Sequence, residues 1–296
     1  MKYTKIRIGT CVSGNVAEKF APGLAKYGFE TMSMNFHMSF DGVDLKQQGP
    51  RMKAFAEENG IEITTVGYYC NALQYEEHLN NLKYAIDCAH LYGASIVGTF
   101  AGALENQPID ASFKRFGEVY REVAKYAEDR GIKIAFENCP MGGTWDRATC
   151  NIAINPRAWE AMFNEVPGDT LGLEWEPAHQ MIQLIDPIAQ LRKWAKKVYH
   201  MHGKDASIDW NYVRENGVLC NTDRYAPERT PGFGDTNWRD IFTILHLNGY
   251  TGDICIEGYH DPVYVGDWEM TAQKHALDYL KWCRGGEFIP NPWDQK

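Results

Sequence analysis

Short apolar runs alternate with longer amphipathic stretches from one end of the chain to the other. Apolar runs of four to eight residues bounded by turn residues are typical of buried strands, and apolar spacings of three and four are typical of helices. Eight segments have the strand pattern: Ile6–Cys11, Phe29–Phe36, Ile61–Tyr68, Ser95–Phe100, Ile132–Asn138, Thr170–Trp175, Lys197–His202 and Gly252–Glu257.

Each predicted strand is followed by a predicted helix, and most of these helices end at a glycine or begin at an Asn-Pro or Asp-Pro pair. The helices are Val16–Tyr27, Asp44–Asn59, Tyr75–Tyr92, Ala111–Arg130, Asn155–Phe163, Asp186–Trp194, Asn237–Asn248 and Trp268–Trp282. Eight alternating strand–helix pairs predict an α/β fold, a (β/α)8 TIM barrel, with residues 1–296 forming one domain.

Composition agrees with this fold and argues against some partners without excluding them. The 296 residues exceed the roughly 250 that such a barrel needs, and 44% of them are hydrophobic. The net charge of −9 argues against nucleic-acid binding, which needs a basic face. The eight cysteines form no CxxC pair, and we find neither an apolar run of membrane length nor a signal-peptide core. We therefore expect a cytoplasmic protein without a membrane partner.

Metal-ligand side chains stand at the ends of four predicted strands in the second half of the chain. They are Glu137; Glu174 and Glu176, followed by His179; His200 and His202; and Glu257. Because the carboxyl ends of parallel barrel strands meet at one rim, these side chains are expected to converge there. Carboxylates and imidazoles together suit one divalent ion, with Mn²⁺ favoured over Mg²⁺, Co²⁺ or Zn²⁺.

Two of these strands carry two candidate metal ligands each, and the sequence does not decide between them. Glu174 and Glu176 lie on the same face of one strand, so either can ligate the metal while the other packs deeper in the barrel. We favour His202 over His200 because it lies nearer the carboxyl end of its strand. Glu137 has a simpler interpretation as an ion-pair partner, but the same position recurs on the other strands.

Other residues near the predicted rim are candidates for substrate binding. His37 ends the second strand, and Lys204 follows His202 directly, although Lys204 could instead pair with Asp205. Arg229 lies in a long loop, residues 205–236, beside a turn-rich Pro-Gly segment, and solvated loop charge is the alternative. A second long loop spans residues 139–154, and long loops in compact domains are commonly lids. Trp145, Tyr68 and Phe100 are expected to wall the pocket.

These motifs resemble the xylose isomerase-like barrel superfamily, in particular its sugar-phosphate isomerase/epimerase branch, over nearly the whole chain. The motifs are Phe136-Glu137-Asn138, the segment Gly172 to His179, the segment His200 to Asp205, Pro231 to Asp235, and Ile256-Glu257. The resemblance implies metal ligands at Glu137, Glu176, His202 and Glu257. It also implies that His179 and Arg229 contact substrate oxygens. Glu176 departs from the family, which usually has Asp at that position.

The resemblance implies an enzyme that moves a proton next to a carbonyl through an enediolate, as in ketose 3-epimerases. Glu137 and Glu257 then serve as the acid and base on a small sugar or polyol. A dehydratase or lyase acting on an inosose or a 3-keto-glycoside is the first alternative, and a non-catalytic sugar-binding barrel is the second. An endonuclease IV-like enzyme is disfavoured because the third and fourth strands end without histidines. A homo-oligomer is expected only by analogy with the family.

Overall fold

A closed barrel of eight parallel strands forms the centre of the protein, as described by a computed structural model covering residues 5–258, 260–286 and 289–294. The strands are β1 (Arg7–Ser13), β2 (Thr31–His37), β3 (Glu62–Tyr69), β4 (Ile96–Thr99), β5 (Lys133–Glu137), β6 (Leu171–Trp175), β7 (Val198–Gly203) and β10 (Asp253–Ile256). They follow one another around the barrel in the order β1-β10-β7-β6-β5-β4-β3-β2. The predicted (β/α)8 barrel is confirmed.

Most of the helices pack around the outside of the barrel, and two short ones lie in segments at the rim formed by the carboxyl ends of the strands. The helices are α1 (Ala17–Ala25), α2 (Leu45–Glu58), α3 (Glu76–Cys88), α4 (Phe113–Glu128), α5 (Pro156–Glu165), α6 (Ala178–Met181), α7 (Pro187–Trp194), α8 (Trp210–Asn216), α9 (Trp238–Leu247) and α10 (Glu269–Arg284). The two short helices at the rim are α6 and α8. Among the described residues, no helix combines the length and the apolar character that crossing a membrane requires.

The predicted helix ends are largely confirmed. Asn155 accepts a hydrogen bond from the amide of Ala158, and Asp186 accepts one from the amide of Ile188, which caps α5 and α7. The glycines predicted to close helices all have positive φ, between 66° and 86°: Gly28, Gly60, Gly93, Gly131 and Gly249. One prediction was too long, because the α-helix within Tyr75–Tyr92 ends at Cys88 and continues as a 3₁₀ turn over Ala89–Tyr92.

The segment 205–236, predicted as a loop, contains structure of its own. Two short strands, β8 (Asp205–Ala206) and β9 (Glu228–Arg229), pair antiparallel, and α8 lies between them. Strands of two residues are too short to show any hydrophobic periodicity, so the sequence pattern could not reveal them. The pair fixes one side of this segment to the carboxyl end of β7.

The main hydrophobic core lies between the barrel and its helices. Phe136 of β5 packs edge-on against Phe116 and Tyr120 of α4, with ring centroids 5.6 and 4.9 Å apart. Because successive side chains on a strand point to opposite faces, Phe136 on the helix side directs Glu137 into the barrel. Packing of the outer core therefore sets the direction of this acidic side chain.

Glu30, at the opposite end of the barrel from the carboxyl ends of the strands, links three parts of the fold. Its carboxylate accepts hydrogen bonds from the amide of Ile8 at 2.9 Å and from Arg284 of α10 at 2.6 Å, and it pairs with Lys5 at 2.8 Å. Burial alone would raise the pKa of Glu30, but Arg284 and Lys5 lower it from 4.5 to about 2.

We expect Glu30→Gln to lower the free energy of unfolding by about 2 kcal/mol near neutral pH. Because the pKa of Glu30 is depressed in the folded protein, its contribution is complete above 4.5 and is lost as the pH falls towards about 2. Denaturant unfolding of both proteins should therefore show a difference that shrinks over this interval. Glu118→Gln, on the exposed face of α4, is the control and should change little; an equal loss there would contradict the assignment.

Candidate active site

Four buried side chains meet at the carboxyl ends of the strands. Glu137 ends β5, Glu176 follows β6, His202 lies in β7, and Glu257 follows β10. One potential ligand atom from each lies within 4.8 Å of the others. The Nδ1 atom of His202 is 3.4 Å from Glu137 Oε1 and 3.2 Å from Glu257 Oε2. The structure thus brings together the four residues that the sequence predicted as ligands.

The hydrogen bonding of this cluster leaves atoms available for an ion. Both carboxylate oxygens of Glu176, the Nδ1 atom of His202 and the Oε2 atom of Glu257 are buried without a hydrogen-bond partner among the described residues. Leaving such groups buried and unpaired costs free energy, which a bound cation would offset. Three carboxylates and one imidazole are a donor set that Mn²⁺, Mg²⁺, Co²⁺ and Zn²⁺ all accept. The residues present therefore fit one divalent ion.

The orientation of His202 is set from inside the barrel. Its Nε2 atom lies 3.4 Å from Glu174 Oε1 and 3.3 Å from the Tyr69 hydroxyl. Burial alone would raise the pKa of Glu174, but His202 and His200 hold it at about 2, so its carboxylate can only accept hydrogen bonds. Burial alone would lower the pKa of His202, but Cys11 and Glu174 raise it well above its ordinary value. An ion at Nδ1 would displace the proton from that atom, while Nε2 keeps its proton toward Glu174.

Glu174 and His200 form a second layer deeper in the barrel. The Nδ1 atom of His200 is 2.6 Å from Glu174 Oε1, and its Nε2 atom is 3.6 Å from Asp253 Oδ1. Gly98 of β4 leaves the space for this layer, because a Cβ atom there would lie 2.7 Å from Glu174 Oε1. The geometry therefore separates the open alternatives: Glu176 and His202 face the cluster, while Glu174 and His200 pair beneath it.

Further groups of potential ligand atoms also come together among the described residues, and these overlap the two layers. They are Glu174, His200 and His202; His200, Asp253 and Cys255; and Glu137, Cys139 and His179. Of these groups of described residues, the cluster of four combines three carboxylates with an imidazole, and we take it as the primary candidate metal centre.

A cavity of about 680 Å³ opens above the cluster. Glu137, His202 and Glu257 line it, whereas Glu176 does not contribute to its described lining. Phe100 lines it as predicted. The predictions for Tyr68 and Trp145 are wrong: Tyr69 lines the cavity in place of its neighbour Tyr68, and Trp145 lies outside the described lining, where it packs against Phe113. The cavity has the volume and the mixture of apolar walls and polar groups that small-molecule sites have.

The two cluster carboxylates that face the cavity have opposite pKa shifts. Burial raises the pKa of Glu137 above its ordinary value. Burial would also raise the pKa of Glu257, but the Lys204 ammonium and contacts with His202 and His260 hold it well below its ordinary range. Two carboxylates at one site thus lie in electrostatically different surroundings.

Lys204 is buried and takes part in the site. Its ammonium lies 3.3 Å from Glu257 Oε1 and 3.3 Å from Glu228 Oε2. Burial would lower the pKa of Lys204, but these carboxylates raise it, so the side chain stays charged. Asp205, the alternative partner suggested by sequence, instead accepts hydrogen bonds from the Trp238 indole and the Thr236 amide.

His179 lies on the short helix α6 beside the cluster. Its Nε2 atom contacts Glu176, and its Nδ1 atom lies 3.6 Å from Glu228 Oε1. Burial and the nearby Lys204 ammonium hold the pKa of His179 well below its ordinary value, which favours the neutral ring. A neutral imidazole that lines the cavity can donate or accept a hydrogen bond with a substrate hydroxyl.

The other two predicted substrate-binding residues are placed differently. His37 lines the mouth of the cavity, with its ring edge-on to Phe100 at 5.9 Å. Arg229 is outside the described cavity lining, and its Nε atom donates to the buried Asp261 at 3.0 Å. This contact directs the guanidinium of Arg229 toward Asp261. The predicted role of Arg229 in substrate binding therefore stays a prediction.

Sequence reasoning missed Glu228, which faces the cavity from β9 next to Arg229. It also missed His260 and Cys139, which line the same cavity. Glu228 has no strand-end position or motif to mark it. No local signal could have found it, because β9 has only two residues and its pairing with β8 joins distant parts of the chain.

Comparison with known proteins agrees with the fold and with the motifs. The xylose isomerase-like TIM barrel family profile matches residues 23–283. An inosose dehydratase of Clostridium beijerinckii is 22% identical over 94% of this chain and 97% of its own length. The uncharacterized protein YfiH of Bacillus subtilis is 27% identical over 47% of this chain and 44% of its own length.

Solved structures show the same architecture. A xylose isomerase domain protein from Planctomyces limnophilus superposes with a TM-score of 0.72 at 18% identity, covering 95% of this chain and 98% of that one. An L-ribulose 3-epimerase superposes with a TM-score of 0.69 at 16% identity, covering 94% of each chain. At these identities the superpositions show the fold alone, whereas the family profile spans most of the sequence. This protein belongs to the xylose isomerase-like TIM barrel family.

Proposed function

We propose that this protein is a divalent-metal-dependent isomerase or epimerase that moves a proton next to the carbonyl of a small sugar or polyol. Glu137, Glu176, His202 and Glu257 would hold one ion, with Mn²⁺ the favoured choice. When bound, such an ion supplies Lewis-acid polarisation of oxygens beside the C–H bond that is broken. Membership of a family that includes epimerases and inosose dehydratases supports an enzyme of this kind.

One observation carries the proposal: two of the three cluster carboxylates, Glu137 and Glu257, also line the cavity. They come from strands that flank β6 and β7 in the barrel order, so they reach the cavity on either side of His202. One carboxylate can remove a proton from a bound substrate while the other returns a proton from a different side. Return to the opposite face of the same carbon gives epimerisation, and return to the neighbouring carbon gives isomerisation.

The remaining polar groups bind and orient the substrate in this account. His179 and His37 offer hydrogen bonds to hydroxyl groups at two levels of the cavity. Lys204 holds Glu257 ionised through its ammonium, so that this carboxylate is ready to accept a proton. Phe100 and Tyr69 supply an apolar wall that excludes water from part of the cavity.

Dehydration is the second candidate, favoured by the similarity to an inosose dehydratase over nearly the whole chain. Elimination begins with removal of the same proton and then needs an acid near the departing hydroxyl. His260 lines the cavity near Glu257 and could protonate a leaving oxygen.

Turnover in D₂O tests the proposal. Keto-sugars, inososes and 3-keto-glycosides are incubated with the protein and Mn²⁺, and the products are analysed by mass spectrometry after the metal is removed. We expect a product isomeric with its substrate that carries solvent deuterium on the reacting carbon. An isomeric product without deuterium indicates a hydride shift and contradicts the two-carboxylate account. A product that has lost water assigns the protein to the dehydratases.

A further inference from the structure

Glu228 brings an additional negative charge into the cavity from β9. Its Oε2 atom lies 3.3 Å from the Lys204 ammonium, and its Oε1 atom lies 3.6 Å from His179 Nδ1. Its side chain is 20% exposed and belongs to the cavity lining. Proton transfer between Glu137, Glu257 and a substrate does not require this carboxylate, although it stands beside two groups that face the substrate.

The register of β9 keeps the neighbouring positive charge out of the cavity. Arg229 donates from Nε to Asp261 Oδ2, and Asp261 also accepts from the amides of Thr230 at 3.1 Å and Val263 at 2.9 Å. Asp261 is buried, so this contact holds the segment in place. Because β9 pairs with β8 in one register, the acid faces inward and the arginine faces the neighbouring loop.

The formal charges of the site then follow. Three ligand carboxylates exceed the charge of a divalent ion by one, and the Lys204 ammonium restores neutrality. Glu228 makes the centre negative again. Among the described cavity-lining residues Lys204 is the sole Lys or Arg, and the exposed residues Asp41 and Asp223 add negative charge to the lining.

We propose that Glu228 makes this cavity select a neutral, polyhydroxylated substrate over the phosphorylated form of the same compound. This inference rests on the proposed function and narrows its substrate class. A hydroxyl group can donate a hydrogen bond to the Glu228 carboxylate, whereas a dianionic phosphate group offers it only acceptors and further negative charge. Lys204, the cation that would otherwise attract a phosphate, is already engaged by Glu257 and Glu228.

The experiment compares binding of D-glucitol and D-glucitol 6-phosphate by titration calorimetry with Mn²⁺-loaded protein. These probes have no carbonyl, so binding is measured without turnover. We expect the parent protein to bind glucitol more tightly than its phosphate, and Glu228→Gln to reduce this preference on the order of tenfold. Added salt should also reduce the preference of the parent protein for glucitol over its phosphate, because salt screens partly exposed charges.

Two variants serve as controls for the effect of charge and of side-chain length. Glu118→Gln removes the same formal charge from the exposed face of α4, outside the cavity lining, and should leave the preference of the parent intact. Glu228→Asp keeps the charge with a shorter side chain, so it should retain the preference even if the contact with Lys204 is weakened.

Three results would overturn the inference. One is a parent protein that binds the phosphate as tightly as glucitol, and another is a Glu228→Gln variant with the preference of the parent. The third is a metal-loaded parent that binds neither probe, which would refute the polyol class itself. Deuterium incorporation is measured by turnover of other compounds. A failure of the proposed function can therefore be told apart from a failure of the inference about Glu228.

Discussion

Replacing His202 by alanine should remove most of the bound metal while leaving the barrel folded. His202 supplies the single imidazole of the cluster of four, and its Nδ1 atom stands between Glu137 and Glu257 at 3.4 and 3.2 Å. Loss of an outer partner of a metal ligand already weakens metal binding by about 10–100-fold. We therefore expect His202→Ala to lower metal affinity by more than about 100-fold and to abolish turnover with it.

Elemental analysis of the dialysed variant and its circular dichroism spectrum are the measurements. His90→Ala is the matched control, because His90 is an exposed histidine on the outside of the barrel and its loss should leave the metal in place. A folded His202→Ala protein with the metal content of the parent would transfer the ligand role to His200 and refute the cluster as assigned.

Glu137→Gln and Glu257→Gln should separate catalysis from metal binding. Glutamine keeps an oxygen that can ligate an ion but removes the group that carries the proton. General acid–base groups typically contribute 10²–10⁴-fold to a rate, so we expect kcat to fall by about 1,000-fold in each variant. Metal affinity should fall much less, because the other three members of the cluster remain.

The two variants also distinguish the directions of transfer. If one carboxylate removes the proton and the other returns it, each variant should lose formation of product, and the variant that keeps the base should still exchange the substrate hydrogen with D₂O. Glu176→Asp, which restores the usual residue of the family, should keep bound metal and measurable turnover. If the glutamine variants lose bound metal and turnover to the same extent, Glu137 and Glu257 act only as metal ligands.

Much of the fold follows from local sequence patterns. Strand-length apolar runs, Asn-Pro and Asp-Pro caps and glycines such as Gly93 mark the units of the barrel, because each signal acts within a few residues. The ends of the strands could be predicted for the same reason, and they place Glu137, His202 and Glu257 at one rim. The pair formed by β8 and β9 could not be predicted, because its register depends on contacts more than twenty residues apart in the chain.

The choice between neighbouring acids also needed the structure. Glu174 lies in β6 and Glu176 comes directly after it, and sequence alone does not say how deep each side chain lies. The pairing of Glu174 with His200, together with the space at Gly98, places Glu174 beneath the cluster. For Arg229, the sequence showed that the residue lies in a long loop but not where its side chain points. Its contact with Asp261 joins residues from two different loops, and no local sequence pattern signals such a contact.

The most direct test of the account is the metal content of the purified parent protein. The cluster of Glu137, Glu176, His202 and Glu257 predicts about one divalent ion per chain after dialysis against Mn²⁺ and removal of the excess. Removing that ion with a chelator should stop turnover, and restoring it should recover turnover. Three ions per chain would point to a nuclease-like centre, and a protein that binds none would contradict the central claim.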